Sequence, residues 1–539
     1  MKKLRISIEG IAVTALTVVI VIPLLLLVYS NLAGKTGDQR ISRGDAAVLE
    51  IYTLHALKGT QLLGPYSRFG WNHPGPAYLY AIAPTYELLG RTRAGIRVGA
   101  LVVTLLTVLA ILLLSRKQLG FRRFCVVAPL LAGYLLYMGS ALRSIWNPYV
   151  TVLPLVLLIL CCAAIAVGRN WALPAAAFVT SFVVQTHVMY LPVALVATAT
   201  AVIMRFLGRS IERSGSKRSA APWWIAAGIV LAVMWAPPVI EEISNSPGNI
   251  SSLVSFFLEQ GGEERGLIPP LLAVAGAASW PALRVLEVLG LGRFPAAQQA
   301  ASIALLTLLL ALSAWAWLRE RKYGNHFNAA LLVISWTGFA AALWSATRIV
   351  GEVHGYLVFW ISSLMLVALI AAAGTFSLAV FGRTDATRKA LPRWGWASAA
   401  LVLTIFLAGL ATINILQRGE AGSRPRSIER MISETLLEHI ERRGLGRFYL
   451  AIEEHDLWPQ AAALVLHLYR NDIDFAVREE WIPMFGRQFS PSGEEEAVIL
   501  LTARDKLGEL RRDKRNTFIA SSRRLCVFEV PLESAEAEP

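Results

Sequence analysis

Residues 10–30 read GIAVTALTVVIVIPLLLLVYS, an uncharged run that follows the basic start Met1-Lys2-Lys3-Leu4-Arg5. A helix of about twenty apolar residues is long enough to cross the hydrocarbon core of a bilayer. A cleaved signal peptide has a shorter apolar core and small residues at its cleavage site. The run therefore predicts an uncleaved membrane anchor.

The rest of the chain shares this apolar character. Of its 539 residues, 55% are hydrophobic and 16% are charged, with a mean hydropathy of +0.53, whereas soluble domains average roughly a quarter charged residues. The apolar segments are long and continuous, unlike the short alternating strands of a membrane barrel. We predict a mainly α fold, a polytopic helical bundle with about eleven spans. The predicted spans lie at roughly 10–30, 95–114, 124–139, 149–167, 171–187, 188–206, 222–240, 299–318, 328–346, 355–380 and 396–416.

The net charge of +14 follows the predicted topology. Basic residues concentrate after the even-numbered spans, as the positive-inside rule requires of cytoplasmic loops. We therefore predict a multi-pass protein of the inner or plasma membrane, a cytoplasmic N-terminus, an extracytoplasmic C-terminal part and no nucleic-acid partner. The basic loop residues are Arg116, Lys117, Arg122, Arg123, Arg169, Arg205, Arg209, Arg213, Lys217, Arg218, Arg319, Arg321, Lys322, Arg383, Arg388, Lys389 and Arg393.

We divide the chain into a membrane domain, 1–416, and a small soluble α/β domain, 417–539, whose acidic tail Glu533–Pro539 we expect to be disordered. The membrane domain has two long outer loops, 31–94 and 241–298. In the second, apolar stretches too short to span flank the acidic break Gly261-Gly262-Glu263-Glu264-Arg265 and predict an interfacial or re-entrant helix pair that acts as a lid. The predicted soluble elements are helices at Ile428–Arg443, Pro459–Arg470 and Lys506–Arg512, and strands at Arg447–Ile452, Asp474–Val477, Ala497–Thr502 and within Asn516–Val530.

Asp45 is the first candidate for chemistry, since it lies at a membrane boundary where an ionisable side chain is usually functional or paired. Asp45–Leu57 has helical spacing of apolar residues, so we predict a helix along the membrane surface. The alternative role for Asp45 is an N-cap of that helix. Glu50 is either a surface charge or a member of the substrate pocket.

Residues 71–80 read Trp71-Asn72-His73-Pro74-Gly75-Pro76-Ala77-Tyr78-Leu79-Tyr80, a proline-rich turn that enters an aromatic apolar segment. Trp71, Tyr78 and Tyr80 fit an interfacial aromatic belt as well as a pocket lining. The His73 imidazole can donate to a phosphate or orient a carboxylate. We therefore place Trp71, Asn72, Tyr78 and Tyr80 in the pocket and His73 at a donor phosphate.

Three further outer turns carry polar side chains. Arg143 in a short outer loop runs against the charge rule and predicts an anionic partner. The other turns hold Gln185-Thr186-His187 and Arg348-Ile349-Val350-Gly351-Glu352-Val353-His354-Gly355-Tyr356. His187 is either a packed core residue or a ligand, and Arg348 either grips a phosphate or pairs with Glu352 at helical spacing.

Together these motifs resemble those of the GT-C superfamily of membrane glycosyltransferases, and in particular the protein O-mannosyltransferase and aminoarabinose transferase group. Asp45 matches the catalytic Asp that opens the family's first outer loop. The segment His73–Tyr80 resembles the element that enters the second span, Trp146-Asn147-Pro148 the proline turn before the fourth span, and Arg348 with His354-Gly355-Tyr356-Leu357 the late Arg/His-Tyr element. The resemblance covers about residues 1–416, and the C-terminal α/β segment also fits, because many such enzymes append an outer domain.

The resemblance implies inverting transfer of a sugar from a polyprenyl-phosphate donor to an unidentified acceptor at the outer face of the bilayer. Asp45 would be the general base, and Arg348, His73, Arg143 and His354 would bind the donor phosphate. Glu50, Trp71, Asn72, Tyr78, Tyr80, Asn147, His187 and Tyr356 would line the pocket. We expect no cofactor, because the family's Asp-Glu pair is Asp45-Ala46 here and a hard cation prefers more than one oxygen ligand. A divalent metal is the alternative that stays open.

Two other classes fit the same residues. A transporter or flippase of lipid-linked substrates would use the charges along a path, although such proteins tend to carry charges in mid-span and to have internal repeats. A non-catalytic envelope protein would use the outer domain as a scaffold. The sequence contains no nucleophile elbow, Walker loop, zinc-protease helix or paired-cysteine cluster, so it gives no support to the common soluble chemistries.

Overall fold

The structure, a computed structural model, describes residues 7–33, 42–209, 219–259, 266–280, 295–382, 390–420 and 428–532. The chain divides into two compact units. The membrane unit comprises Met1–Ser30 and Ala100–Ala421, and the composite unit comprises Asn31–Gly99 together with Gly422–Pro539. The first outer loop therefore belongs to the same compact unit as the C-terminal segment.

Helices make up most of the described chain. In order along it they are α1 (Ile8–Ala33), α2 (Asp45–Leu57), α3 (Ala77–Leu88), α4 (Arg93–Met138), α5 (Asn147–Val150), α6 (Val152–Ala166), α7 (Ala172–Thr186), α8 (Leu191–Arg209), α9 (Ala221–Ser244), α10 (Asn249–Glu259), α11 (Ile268–Ala278), α12 (Pro295–Lys322), α13 (His326–Thr347), α14 (Gly355–Val358), α15 (Ile361–Phe381), α16 (Arg393–Glu420), α17 (Ile428–Arg443), α18 (Trp458–Arg470), α19 (Ile482–Phe485) and α20 (Leu507–Leu510).

All eleven predicted spans fall on helices, and among the residues that the structure describes nine helical segments are long and apolar enough to cross a membrane. The counts differ for two reasons. The second and third predicted spans share α4, which is interrupted at Gly120 (φ 78°, ψ 175°), a conformation that favours glycine. The span predicted at 171–187 is the 15-residue helix α7, whereas each of the nine counted segments has at least 20 residues. The chain is a multi-pass membrane protein.

Basic residues from several predicted cytoplasmic loops meet at one end of the membrane unit. Arg116 and Arg393 both pair with Glu9, each at 3.0 Å. Arg123 pairs with the buried Glu320 at 2.7 Å. These pairs join the start of α1, the Gly120 region, the end of α12 and the start of α16, as expected for loops that share one side of a membrane. The predicted basic residues 213–218 and 383–389 lie outside the described residues.

The second long outer loop begins with a pair of carboxylates that cap a helix. Glu241 and Glu242 lie in the last turn of α9, where Glu241 accepts a hydrogen bond from the Asn249 amide at 2.9 Å and Glu242 from the Ile250 amide at 2.7 Å. Negative charge at a helix N-terminus stabilises it. Helices α10 and α11, with 11 residues each, occupy the place of the predicted helix pair. Its acidic break, Gly261–Arg265, lies outside the described residues, and the lid stays a prediction.

The C-terminal part of the composite unit is a five-stranded sheet flanked by helices. Its strands are β1 (Phe448–Ile452), β2 (Phe475–Val477), β3 (Val498–Ala503), β4 (Thr517–Ser521) and β5 (Leu525–Val530), in the order β2-β1-β3-β5-β4. The pairs β1–β2 and β1–β3 are parallel, and β3–β5 and β4–β5 are antiparallel. The predicted α/β layer is therefore confirmed, with two strands in place of the single one expected within 516–530. The tail 533–539 lies outside the described residues.

Candidate functional site

Asp45 is the first residue of α2 and not its N-cap. The N-cap is Gly44, whose φ of 57° favours glycine and which has no side chain to cap the helix. A Cβ at Gly44 would lie 3.3 Å from the Trp458 ring, and the Gly44 amide donates to the Pro459 carbonyl at 3.0 Å. This contact fixes the start of α2 against α18. The capping alternative for Asp45 is thus wrong.

The Asp45 carboxylate makes no hydrogen bond or ion pair with any residue that the structure describes. Its side chain is open to solvent on one side. Burial by the surrounding protein atoms nevertheless raises the pKa of the Asp45 carboxyl above its usual value. A carboxylate with a raised pKa and no partner is a stronger base than a salt-bridged one.

Glu50 is buried, so its interpretation as a surface charge is wrong. Its side chain is 0% exposed and forms an ion pair with Arg470 at the end of α18. The Tyr86 hydroxyl donates to the same carboxylate at 3.1 Å, and Ser42 bonds its other oxygen. Burial alone would lower the pKa of Arg470, but the Glu50 carboxylate and the Tyr86 hydroxyl outweigh it and raise that pKa. The pair joins the first outer loop to the C-terminal segment.

Helix α2 is enclosed by protein and does not present a polar face to solvent. Every residue from Ala47 to Ala56 is buried. The Tyr52 hydroxyl donates to the Met484 carbonyl of α19 at 2.9 Å and accepts from the Asn72 amide at 3.1 Å. The C-terminal helices therefore cover one side of α2, and its position along the membrane surface stays a prediction.

His55 lies at the other end of α2 in an aromatic and amide environment. Its ring contacts the Tyr469 ring edge-on, with centroids 5.2 Å apart, and its nitrogens meet the side chains of Gln61 and Gln488. Burial lowers the pKa of His55 to about 4, with the positive charge of Lys58 adding to the effect. His55 is therefore neutral at physiological pH and helps to hold the helix in place.

The segment that carries His73 is a short hairpin packed on α2. The His73 amide donates to the Pro65 carbonyl, and the His73 carbonyl accepts from the Gly64 amide, both at 2.9 Å. The Trp71 and His73 rings pack edge to face at 5.6 Å. Asn72 and Tyr78 are buried, and the exposed Tyr80 donates to the Gln61 carbonyl at 3.1 Å. These bonds make the hairpin a defined support for His73.

The predicted outer turns of the membrane unit meet through an aromatic cluster. The Trp146 ring lies 4.6 Å from the Tyr356 ring, and His354 stacks on Tyr356 at 5.7 Å with 13° between the planes. The Asn147 side chain donates to the Thr186 carbonyl at 3.1 Å, which places the buried His187 beside it. Arg143 ends the 3₁₀ turn Gly139–Arg143, three residues before Trp146.

Arg348 follows the last residue of α13, so it does not form the predicted helical pair with Glu352. The helix ends at Thr347, and Gly351 has a φ of 74°, which removes the helical spacing that this pair requires. The exposed guanidinium lies 5.5 Å from the centre of the Trp344 ring. Ser345, one turn earlier, bonds the Met189 carbonyl at 3.5 Å, which links Arg348 to the His187 turn.

The structure thus places the predicted site residues in two groups, one in each unit. Asp45, Glu50, Trp71, Asn72, His73, Tyr78 and Tyr80 belong to the composite unit, and Arg143, Asn147, His187, Arg348, His354 and Tyr356 belong to the membrane unit. Among the described residues, no group of three or more His, Cys, Asp or Glu side chains is arranged to hold a metal ion.

Two partners of Glu50, Arg470 and Tyr86, were not among the residues predicted from the sequence. Tyr86 follows Tyr78 at two helical turns, a spacing that places it on the same face of α3. Arg470 lies 420 residues after Glu50, and nothing in the local pattern connects them.

Comparison with known proteins identifies the architecture. No protein-family model matches the sequence, and no curated protein does. The crystal structure of ArnT from Cupriavidus metallidurans bound to undecaprenyl phosphate matches with a TM-score of 0.50 and 14% identity, covering 97% of this chain and 99% of that chain. The apo form of that protein gives a TM-score of 0.48, also at 14% identity, with 97% and 98% covered. The chain therefore has the fold of ArnT, and the predicted mainly α membrane bundle with a small C-terminal α/β part is confirmed.

Proposed function

We propose that this protein transfers a sugar from a polyprenyl-phosphate donor to an acceptor. The fold extends over nearly the whole length of ArnT, a protein whose structure holds undecaprenyl phosphate. The motif residues around Asp45, His73, Arg348 and Tyr356 supply the chemistry that such a transfer needs. The acceptor is a hydroxyl or amine of a lipid, a glycan or a protein.

The reaction is a single inverting displacement. The acceptor oxygen or nitrogen attacks the anomeric carbon on the face opposite the phosphate, and Asp45 takes the acceptor's proton. The bond between the anomeric carbon and the phosphate oxygen breaks, and its electron pair leaves with the polyprenyl phosphate. Arg348, with His73, Arg143 and His354, stabilises the negative charge on this leaving group, which is usually the largest catalytic contribution.

The state of Asp45 is the observation that carries the proposal. Its carboxylate has no partner among the described residues and a raised pKa, while the helix below it is buried and held by Glu50 and Arg470. A structural carboxylate would be paired, as Glu50 is. A rigid support under a reactive group is what precise positioning of a general base requires.

The proposal also assigns the residues of the substrate pocket and the side of the membrane on which the reaction occurs. Trp71, Asn147, His187 and Tyr356 line the pocket for sugar and acceptor, and the helices within 241–298 cover it. The reaction occurs at the outer face, with the N-terminus in the cytoplasm. Residues 1–416 bind the donor, and residues 417–539 support the first outer loop and recognise the acceptor.

The test is transfer of label from radioactive polyprenyl-phosphate sugars in membranes that contain the full-length protein. Asp45→Asn should lower the turnover by about two to four powers of ten, because general-base catalysis contributes that much. Glu87→Gln is the matched control, since Glu87 is an exposed carboxylate paired with Arg91 in the same unit. It should keep full turnover.

The pH profile separates the base from a merely structural aspartate. The base must be ionised, so the wild-type rate should fall as the pH drops through the raised pKa of Asp45, at a pH above the usual aspartate range near 4. The residual rate of Asp45→Asn should lack this acid limb. Unchanged turnover in a folded Asp45→Asn protein would remove Asp45 from the mechanism. Movement of the donor lipid across the bilayer without covalent transfer would identify a flippase instead.

A further inference from the structure

An apolar groove runs along the membrane unit between α4, α6 and α7. Its volume is about 540 Å³, and its lining includes Leu106, Leu113, Leu157, Phe178 and Val179. Leu106, Leu113 and Phe178 are 61%, 72% and 53% exposed, so the groove opens outward from the helices. In a membrane protein this surface faces lipid chains, and a groove of this shape accommodates one of them.

The groove leads into a polar hollow of about 450 Å³. The two share Lys117 and Trp171, and the hollow adds Gln118, Arg169, Asn170 and Trp223. It lies at the basic end of the membrane unit, since Lys117 follows Arg116, the partner of Glu9. Helix α6 separates the Asn147 turn from the Arg169 turn, so the hollow is at the opposite end of this helix from the predicted donor site.

The basic side chains of the hollow differ in their pairing from the other basic residues at the same end of the membrane unit. Arg116 and Arg123 are each paired with a glutamate. Lys117 and Arg169, by contrast, form no ion pair with a carboxylate of the described chain. The Lys117 ammonium lies 5.1 Å from the centre of the Trp171 ring, which directs it into the hollow. Two cations that lack a carboxylate partner in the described part of the chain, beside a groove for a lipid chain, are complementary to an anionic lipid.

We propose that this groove and hollow form a binding site for an anionic glycerophospholipid. Lys117 and Arg169 bind the headgroup phosphate, one acyl chain lies along Leu106, Leu113 and Phe178, and Trp171 and Trp223 lie at the level of the headgroups. Basic pockets between helices on the cytoplasmic side are typical headgroup sites, and tryptophan prefers this interface. The site is separate from the proposed reaction and does not depend on it.

The experiment is native mass spectrometry of the full-length protein in detergent, with phosphatidylglycerol and phosphatidylcholine of equal chain length added at equal concentration. The wild type should retain phosphatidylglycerol preferentially. In the variant Lys117→Gln/Arg169→Gln, retention of phosphatidylglycerol should fall roughly 30-fold, since each basic residue near the membrane surface contributes on the order of a fivefold gain. The matched control, Arg319→Gln/Arg321→Gln, removes the same charge from the end of α12, outside the groove, and should bind as the wild type does.

A second variant tests the groove separately from the charges. Ala175→Trp fills the apolar part, which Ala175 lines, and should also reduce retention of the lipid while leaving both cations in place. The proposal would be overturned if the wild type retained both lipids equally. It would also be overturned if Lys117→Gln/Arg169→Gln retained as much phosphatidylglycerol as the wild type. Complete competition by water-soluble glycerol phosphate, or by an equimolar amount of undecaprenyl phosphate, would assign the site to a different ligand and overturn it as well.

Discussion

Glu50 and Arg470 illustrate how one buried pair can define a site without taking part in its chemistry. Removing two charges from water is costly, and the attraction between them compensates only when the remaining hydrogen-bonding atoms are also satisfied. Ser42 and Tyr86 fulfil that condition for the carboxylate. The pair therefore fixes which face of α2 points inward, and with it the position of Asp45 five residues earlier.

Removing only one partner of the Glu50–Arg470 pair should strongly destabilise the folded protein. Arg470→Met leaves the Glu50 charge buried without a partner, and we expect a loss of about 3 to 5 kcal/mol in the free energy of unfolding. The double variant Glu50→Leu/Arg470→Met should lose less than the sum of the single changes, because neither charge remains. Arg91→Met, which breaks the exposed pair with Glu87, should cost at most about 1 kcal/mol.

Thermal unfolding in detergent measures these differences. A Glu50→Leu/Arg470→Met protein that is destabilised by the full sum of its parents would show that the two side chains act independently. That result would contradict the conclusion that this ion pair connects the first outer loop to the C-terminal segment.

At the scale of elements, the sequence predicted the helices well because their signals are local. The bounds of α2 and α17 agree with those expected from apolar spacing, and every span falls on a helix. The sequence did not indicate which residues cover α2. Its apolar residues cover nearly the whole circumference, which indicates a buried helix, but the partners that bury it belong to the distant α18 and α19. Arg470 was unpredictable for the same reason.

Helices α3 and α4 pack closely where α4 begins, and this contact depends on glycine. A Cβ at Gly99 would lie 2.9 Å from Ile82 Cβ and 3.1 Å from Ile82 Cα, and at Gly95 it would lie 3.0 Å from Tyr86 Cα. The neighbours are mainly backbone or Cβ atoms, which cannot move aside without shifting the helix. Glycine four residues apart is a common way to bring two helices together.

Gly99→Ala should therefore destabilise the protein by about 1 to 3 kcal/mol, the usual cost of overpacking. Gly228→Ala in α9 is the control, because a Cβ there meets nothing within 4 Å, and alanine should be neutral or mildly stabilising in that helix. Thermal unfolding of both variants tests the contact. If Gly99→Ala and Gly228→Ala unfold at the same midpoint temperature, the close contact between α3 and α4 does not contribute to stability.

For the whole molecule, the charge pattern predicts which end faces the cytoplasm. Introduced cysteines are well suited to test this, because all four native cysteines are buried. Glu494→Cys in the composite unit should react with a membrane-impermeant maleimide in intact cells. Lys322→Cys, at the basic end of α12, should react only after the membrane is permeabilised. The reverse labelling would invert the proposed orientation and move the reaction to the cytoplasmic face.

The composite unit is assembled from two distant stretches of one chain. The side of α2 that α18 and α19 cover stays open until those two helices have been synthesised, so the first stretch of this unit completes its packing only after the last one is made. A polypeptide cut short before α18 would carry Asp45 on a helix that lacks the Arg470 partner of Glu50 and the cover of α19. Under the proposed function, chains that end before α18 and α19 should therefore be inactive and should leave the lipid-linked donor unused.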